Sequence, residues 1–184
     1  MPIRFWTISN ILSLLRAALV LPVAYLLLED RPGASRAAFV VILFAIATDF
    51  LDGWFARKFN QVSDAGKIID PLADKLCVAV VGCVLASQGK IPIWFISGAI
   101  IRDVLIFLGG IYVRQMNGIL LASNMIGKWA VGIVALLFAL VVLGGESLRS
   151  VTDGLVVVSS VLLVLSFVAY ARRFNSVMKE SSSP

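Results

Sequence analysis

Six runs of about 20 mostly apolar residues follow one another along this chain, separated by short connections rich in glycine, proline and charge. A helix of that length crosses the hydrocarbon core of a bilayer, which is about 30 Å thick. The chain is 60% apolar and only 15% charged, a composition far from that of soluble domains. The pattern therefore predicts an integral membrane protein.

The predicted fold class is an all-α bundle of six transmembrane helices. The expected spans are about 7 to 28, 36 to 56, 67 to 88, 91 to 113, 124 to 144 and 150 to 171. We predict one membrane domain over residues 1–175 and a disordered tail at 176–184, where serine and charged residues replace the apolar pattern.

The basic residues favour one orientation of this bundle. With the N-terminus in the cytoplasm, nine Lys and Arg residues lie on the cytoplasmic side and four face outward. This orientation is favoured because short connections rich in Lys and Arg tend to stay in the cytoplasm. The basic residues are scattered at segment ends, which favours anionic membrane lipids over nucleic acid as partners. Arg16, Lys75 and Arg102 fall within or near apolar runs, where a charge is costly and indicates a functional interior.

Four aspartates lie where the second and third spans meet the cytoplasm. On a helix that turns about 100° per residue, Asp49 and Asp52 share one face of the second span. Asp70 and Asp74 share one face of the third. If these helices are neighbours, four carboxylates converge, and their repulsion requires a cation between them. Hard oxygen ligands predict Mg²⁺, with Mn²⁺ or Ca²⁺ as substitutes, and four carboxylates suit two ions.

Small residues accompany these carboxylates. Gly53 and Ala56 lie beside the aspartates of the second span, and Gly66 precedes those of the third by one turn. They allow a close helix contact or a slot for a flat ligand. Arg57 follows, and its guanidinium can bind phosphate oxygens through two parallel hydrogen bonds. The alternative is a solvated belt of ion pairs, which does not require all its carboxylates on two helix faces beside small residues.

Together these positions resemble the signature of the CDP-alcohol phosphatidyltransferases. Asp-x-x-Asp-Gly-x-x-Ala-Arg at 49 to 57 is followed, after eight residues, by Gly-x-x-x-Asp-x-x-x-Asp at 66 to 74. The six-span layout is also similar to that family. In this family a CDP-linked lipid binds in a polar cavity that faces the cytoplasm, an alcohol attacks the phosphorus next to the lipid, and CMP leaves.

The resemblance implies a role for each position of the signature. Asp49, Asp52, Asp70 and Asp74 would hold the metal, and Asp74 would also be the catalytic general base. The residues expected to bind the CDP-lipid are Gly53, Ala56, Arg57, Ser63, Gly66 and Asn10. The resemblance further implies a homodimer in a bacterial-type inner membrane, with its active site facing the cytoplasm.

The acceptor alcohol depends on other residues. Asn10 and Arg16 match the Asn-x-Leu-x-x-x-Arg entry of glycerophosphate-type members. The stretch at 126 to 131 resembles their Gly-Lys-x-Lys-Thr motif, but Ala130 and Val131 replace the second Lys and the Thr. We expect CDP-diacylglycerol as donor and glycerol 3-phosphate as acceptor, with phosphatidylglycerol as the first alternative acceptor and inositol phosphate or serine as less favoured ones.

Three basic residues are the candidates for binding the acceptor: Arg102, Arg114 and Lys128. Each has a structural alternative. Arg114 and Lys128 also fit as anchors at the cytoplasmic interface, and Arg102 as the ion-pair partner of Asp103. The dipeptide Arg102-Asp103 resembles cardiolipin synthases as well, so it does not choose between the acceptors.

A divalent-cation channel is the alternative from another functional class, because intramembrane aspartates also line ion pathways. The clustering of the carboxylates at one membrane face argues against it.

Overall fold

The described part of the protein is helical throughout, apart from short turns. The computed structural model describes residues 8–29, 31–59, 66–118 and 125–181. These ranges form α1 (Ile8–Leu28), α2 (Ala34–Phe59), α3 (Gly66–Ser87), α4 (Ile93–Asn117), α5 (Met125–Gly144) and α6 (Arg149–Ser181), with a short 3-10 helix at Gly145–Leu148. The predicted all-α fold is confirmed, and each predicted span corresponds to one helix.

Three helices in the described ranges are long and apolar enough to cross a bilayer. Their apolar segments are Ile93–Met116, Met125–Gly144 and Arg149–Lys179. Shorter apolar segments occupy Ala17–Leu28 of α1 and Ala34–Ala45 of α2. The helices thus have the character of an integral membrane protein, and the count of six spans stays a prediction.

The last helix is longer than the sequence predicts. The span is expected to end near 171 and the tail at 176–184 to be disordered, but α6 continues to Ser181. Phe174, Val177 and Met178 recur at helical spacing and are half-buried. The Phe174 ring lies against Tyr112 of α4, with 6.3 Å between ring centroids. This packing stabilises a helical segment beyond the apolar run, so α6 extends past the predicted domain boundary at residue 175.

The chain divides into two compact units, and the domain expected at 1–175 includes parts of both. The first contains residues 1–90 and 142–145 and is built on α1, α2 and α3. Within it, α1 packs against both α2 and α3. Val20, Val23 and Leu27 form the buried face of α1. The Gln88 side-chain amide, just after α3, donates a hydrogen bond to the backbone carbonyl of Leu27 and fixes these two helix ends together.

The second unit contains residues 91–141 and 146–184, and in it α4 packs against α6. The Arg102 guanidinium donates to the Ser166 hydroxyl, and the Tyr170 hydroxyl donates to the Ile106 carbonyl at 2.9 Å. Both contacts advance by four residues in the same direction, so the two helices run parallel. A Cβ at Gly109 would lie 3.0 Å from the Tyr170 hydroxyl oxygen, so glycine there lets the phenol reach the backbone of α4.

Gly109→Ala is expected to lower the apparent melting temperature of the protein in detergent. The added methyl displaces the Tyr170 hydroxyl from the Ile106 carbonyl, at a cost of about 1 kcal/mol for an interhelical hydrogen bond. Gly98→Ala is the matched control on the same helix, because nothing lies within 4 Å of its Cβ position. In a Tyr170→Phe background the Gly109→Ala change should cost less, and an equal cost in both backgrounds would contradict this account.

Candidate active site

The predicted metal ligands lie on two helices of the first unit. Asp49 and Asp52 are on α2, and Asp70 and Asp74 are on α3. The spacing within each pair places both residues on one face of a regular helix. The side chains of the first three lie outside the described part of the protein, so the convergence of the four carboxylates stays a prediction.

The arrangement of the three helices brings the signature to one end of the first unit. The short connection between Leu28 and Ala34 makes α1 and α2 antiparallel neighbours, so the start of α1 lies near the end of α2. The hydrogen bond between Gln88 and Leu27 joins the far ends of α1 and α3, so α3 also begins at the end where α1 starts. The backbone therefore gathers the start of α1, the end of α2 and the start of α3.

The predicted CDP-lipid residues follow this arrangement. Asn10 is on the first turn of α1, while Gly53, Ala56 and Arg57 are on the last turns of α2. Gly66 begins α3. Ser63, from the connection between α2 and α3, lies outside the described residues, as do the side chains of Asn10 and Arg57. Their contacts with a ligand stay predictions.

Asp74 is the predicted metal ligand whose side chain the structure describes. It is half-buried on α3 and takes part in an electrostatic or hydrogen-bonding interaction, as does Lys75. Among the described side chains, no three or more His, Cys, Asp or Glu residues form a cluster that could hold a metal ion. The side chains of the other three predicted ligands lie outside the described part of the chain.

Arg102, one predicted acceptor-binding residue, lies in the second unit at the contact between α4 and α6. Its side chain is 14% exposed. Nη1 donates to a carboxylate oxygen of Asp103 at 2.5 Å, and Nη2 donates to the hydroxyl of Ser166 at 2.5 Å. Its Nε is buried and has no hydrogen-bond partner among the described residues. Arg102 is thus the partner of Asp103, the alternative that the sequence leaves open, and part of its donor capacity is unused.

Ser166 is a contact that sequence reasoning misses. It is a small polar residue within the apolar run of α6, and it is 1% exposed. A polar residue in such a run indicates a partner in the protein interior. The sequence does not say which residue that partner is, because Ser166 and Arg102 are 64 positions apart.

The other two predicted acceptor-binding residues lie at helix ends of the second unit. Arg114 is half-buried in the last turn of α4, and its carbonyl accepts the hydrogen bond of the capping Gly118. It is twelve residues from Arg102, or about 18 Å along the helix axis. Lys128 is exposed in the first turn of α5, next to the exposed Trp129. The described contacts do not bring either residue to Arg102, and their binding of an acceptor stays a prediction.

Sequence comparison shows which family the chain belongs to. Residues 6–174 match the family model for CDP-alcohol phosphatidyltransferase. The chain is therefore a member of this family of phosphatidyltransferase enzymes, as the signature at 49 to 74 predicts.

Three relatives show the range of proteins that the chain is similar to. It is 32% identical over 180 residues to the CDP-diacylglycerol--glycerol-3-phosphate 3-phosphatidyltransferase of Aquifex aeolicus (strain VF5), covering 94% of this chain and 99% of that protein. It is 37% identical over 105 residues to the Bacillus subtilis (strain 168) protein of the same name, covering 55% of this chain and 54% of that protein. It is also 37% identical over 110 residues to the CMP-forming cardiolipin synthase of Rattus norvegicus, covering 59% of this chain and 35% of that protein.

Proposed function

We propose that the protein transfers a phosphatidyl group from CDP-diacylglycerol to glycerol 3-phosphate and releases CMP. The observation that carries the proposal is the match with the Aquifex aeolicus relative, which is named for this reaction and aligns over 94% of this chain and 99% of its own length. The complete signature on α2 and α3 supports the same chemistry.

The carboxylates of the signature suit divalent cations. Asp49, Asp52, Asp70 and Asp74 offer hard oxygen donors, which are the ligands that Mg²⁺ prefers, and Mn²⁺ accepts the same set. They lie on helices that both pack against α1, and the end of α2 and the start of α3 lie at the same end of the unit. When bound there, two Mg²⁺ ions would neutralise negative charge on the diphosphate.

The protein side chains would bind the donor and move one proton. Arg57 would bind diphosphate oxygens with its planar guanidinium, and Ser63 would donate a further hydrogen bond. Gly53 and Ala56 would leave room for the cytidine ring. Asp74 would accept the proton of the acceptor hydroxyl as its oxygen bonds to the phosphorus next to the lipid. The bond from that phosphorus to the CMP oxygen would break at the same centre, and CMP would leave.

We propose that all six helices span a bacterial-type inner membrane, with the signature in a polar cavity that faces the cytoplasm. The excess of Lys and Arg in the connections on that side supports this orientation. Trp94 near the start of α4 and Trp129 near the start of α5 are exposed, as is typical of side chains at the two membrane interfaces.

Transfer to phosphatidylglycerol, which would give cardiolipin, is the second candidate reaction. Ala130, at the position where the phosphatidylglycerophosphate synthase motif has a lysine, is 0% exposed. A residue so placed contributes to packing and supplies no charge for an acceptor phosphate. The similarity to the cardiolipin synthase of Rattus norvegicus points in the same direction.

A panel of acceptors decides between these reactions. Purified protein with CDP-diacylglycerol and Mg²⁺ should release CMP with glycerol 3-phosphate and form phosphatidylglycerophosphate, detected by thin-layer chromatography. EDTA should stop the reaction, and added Mg²⁺ should restore it. Turnover of phosphatidylglycerol but not glycerol 3-phosphate would establish the second reaction. Cation flux through liposomes without CMP release would favour a channel.

Asp74→Asn is expected to lower turnover by at least about 100-fold, because the amide cannot act as a general base. Binding of CDP-diacylglycerol should change much less, since the other three aspartates remain. Asp153→Asn, an exposed carboxylate-to-amide change on α6 outside the signature, is the matched control and should leave turnover unchanged. Near-normal turnover in the Asp74 variant would show that another group accepts the proton.

We also propose a homodimer formed through α4. Ile101, Leu105, Leu108 and Tyr112 recur at helical spacing on this helix, and each is about half exposed. Within the bilayer, either lipid tails or the same stripe of a second copy can cover these side chains, and the proposal takes the second copy because the family resemblance implies a dimer. Light scattering of the detergent-solubilised protein should give twice the chain mass, and replacing Leu105 and Leu108 with smaller residues should shift the particle toward the monomer. A monomeric mass for the unaltered protein would contradict the dimer.

A further inference from the structure

Arg102 places a full positive charge within the apolar segment of α4. It is nine residues from Ile93, or about 13 Å along the helix axis. A charge at such a position is expensive in lipid and is retained where it pairs with another group or serves a function. The structure pairs it with Asp103, whose side chain is 26% exposed, and with the hydroxyl of Ser166.

These two partners restrain the guanidinium in different ways. Asp103 is the next residue on α4, so its contact with Nη1 moves with Arg102 itself. Ser166 is on α6, and its contact with Nη2 ties the same planar group to a second helix. A planar guanidinium with both terminal nitrogens fixed has little freedom to rotate.

The restrained group still has unused donors. A guanidinium carries five N–H bonds, and the structure shows one hydrogen bond from Nη1 and one from Nη2. The buried Nε has no partner among the described residues. A buried unpaired donor is destabilising, and an oxygen of a bound anion is the group that satisfies it best. Nε and Nη2 share the edge of the guanidinium that faces away from Nη1, so such an anion would lie apart from the Asp103 carboxylate.

We propose that Ser166, together with Asp103, is a positioning residue that holds Arg102 to receive a phosphate oxygen of the acceptor. The proposal rests on the proposed function in one respect, namely that the acceptor carries a phosphate group. Glycerol 3-phosphate and phosphatidylglycerol both meet that condition. Ser166 itself does not touch the acceptor and acts through the orientation of Arg102.

The test compares two buried serines of α6. Ser159 is 0% exposed, and its hydroxyl donates hydrogen bonds to the carbonyls of Leu155 and Val156 on its own helix. Ser159→Ala therefore removes a buried hydroxyl and leaves the contact between Ser166 and Arg102 in place. Ser166→Ala should raise the KM for glycerol 3-phosphate about tenfold, the effect of losing one hydrogen bond to a charged group. The KM for CDP-diacylglycerol should stay within about twofold, because the donor does not depend on Arg102. Ser166→Thr, which keeps the hydroxyl, should restore much of the acceptor KM.

Equal KM values for Ser166→Ala and the unaltered protein would overturn the proposal. So would a rise in both KM values accompanied by a loss of thermal stability that Ser159→Ala also shows, since that result indicates packing alone. If the enzyme uses phosphatidylglycerol but not glycerol 3-phosphate, the lead reaction fails, and the same comparison with phosphatidylglycerol then decides the role of Ser166. If Arg102→Gln turns over with an unchanged KM for every phosphate-bearing acceptor, Arg102 does not bind the acceptor and the role of Ser166 falls with it.

Discussion

The energetic cost of charge in a hydrocarbon environment is the constraint on which the structure depends. Insertion scales put this cost at about 2.5 to 3.5 kcal/mol for one charged residue at the centre of a transmembrane helix. Two contacts offset this cost for Arg102. It forms an ion pair with the Asp103 carboxylate on the same helix and donates a hydrogen bond to the Ser166 hydroxyl on α6. In the proposed site, the aspartates of the signature would avoid much of this cost, because they lie toward the end of α2 and the start of α3. Water, cations and a diphosphate would be the partners of their carboxylates there.

Helix α1 organises the first unit, although it carries few of the residues assigned to chemistry. Its buried face, with Val20, Val23 and Leu27, packs within a three-helix group in which both signature helices contact it. The hydrogen bond from Gln88 sets the depth of α3 relative to α1 at the opposite end from the aspartates. A shift of α3 along α1 would move Asp74 along the helix axis relative to Asp49 and Asp52 of α2. Packing far from the proposed site would therefore determine whether the four carboxylates meet.

Hydropathy and spacing predicted most of the fold, because a transmembrane helix is determined by a continuous property of its own sequence. Each of the six expected spans corresponds to a helix. The extension of α6 was missed because Phe174, Val177 and Met178 stabilise it through one packed side and not through a continuous apolar run. The signature predicted the family, which the match over residues 6–174 confirms. The contact between Arg102 and Ser166 cannot be predicted from the sequence, since it depends on the register of two parallel helices that are distant in sequence.

The length of α6 makes the tilt of this helix depend on the thickness of the bilayer. Its 33 residues extend about 50 Å, whereas the hydrocarbon core is about 30 Å. A helix with such an excess ordinarily adjusts to a thinner bilayer by leaning further. Phe174 and Tyr170 hold α6 to α4, so the two helices would lean as one body, and the guanidinium of Arg102 would keep its geometry while the lipid around it changes.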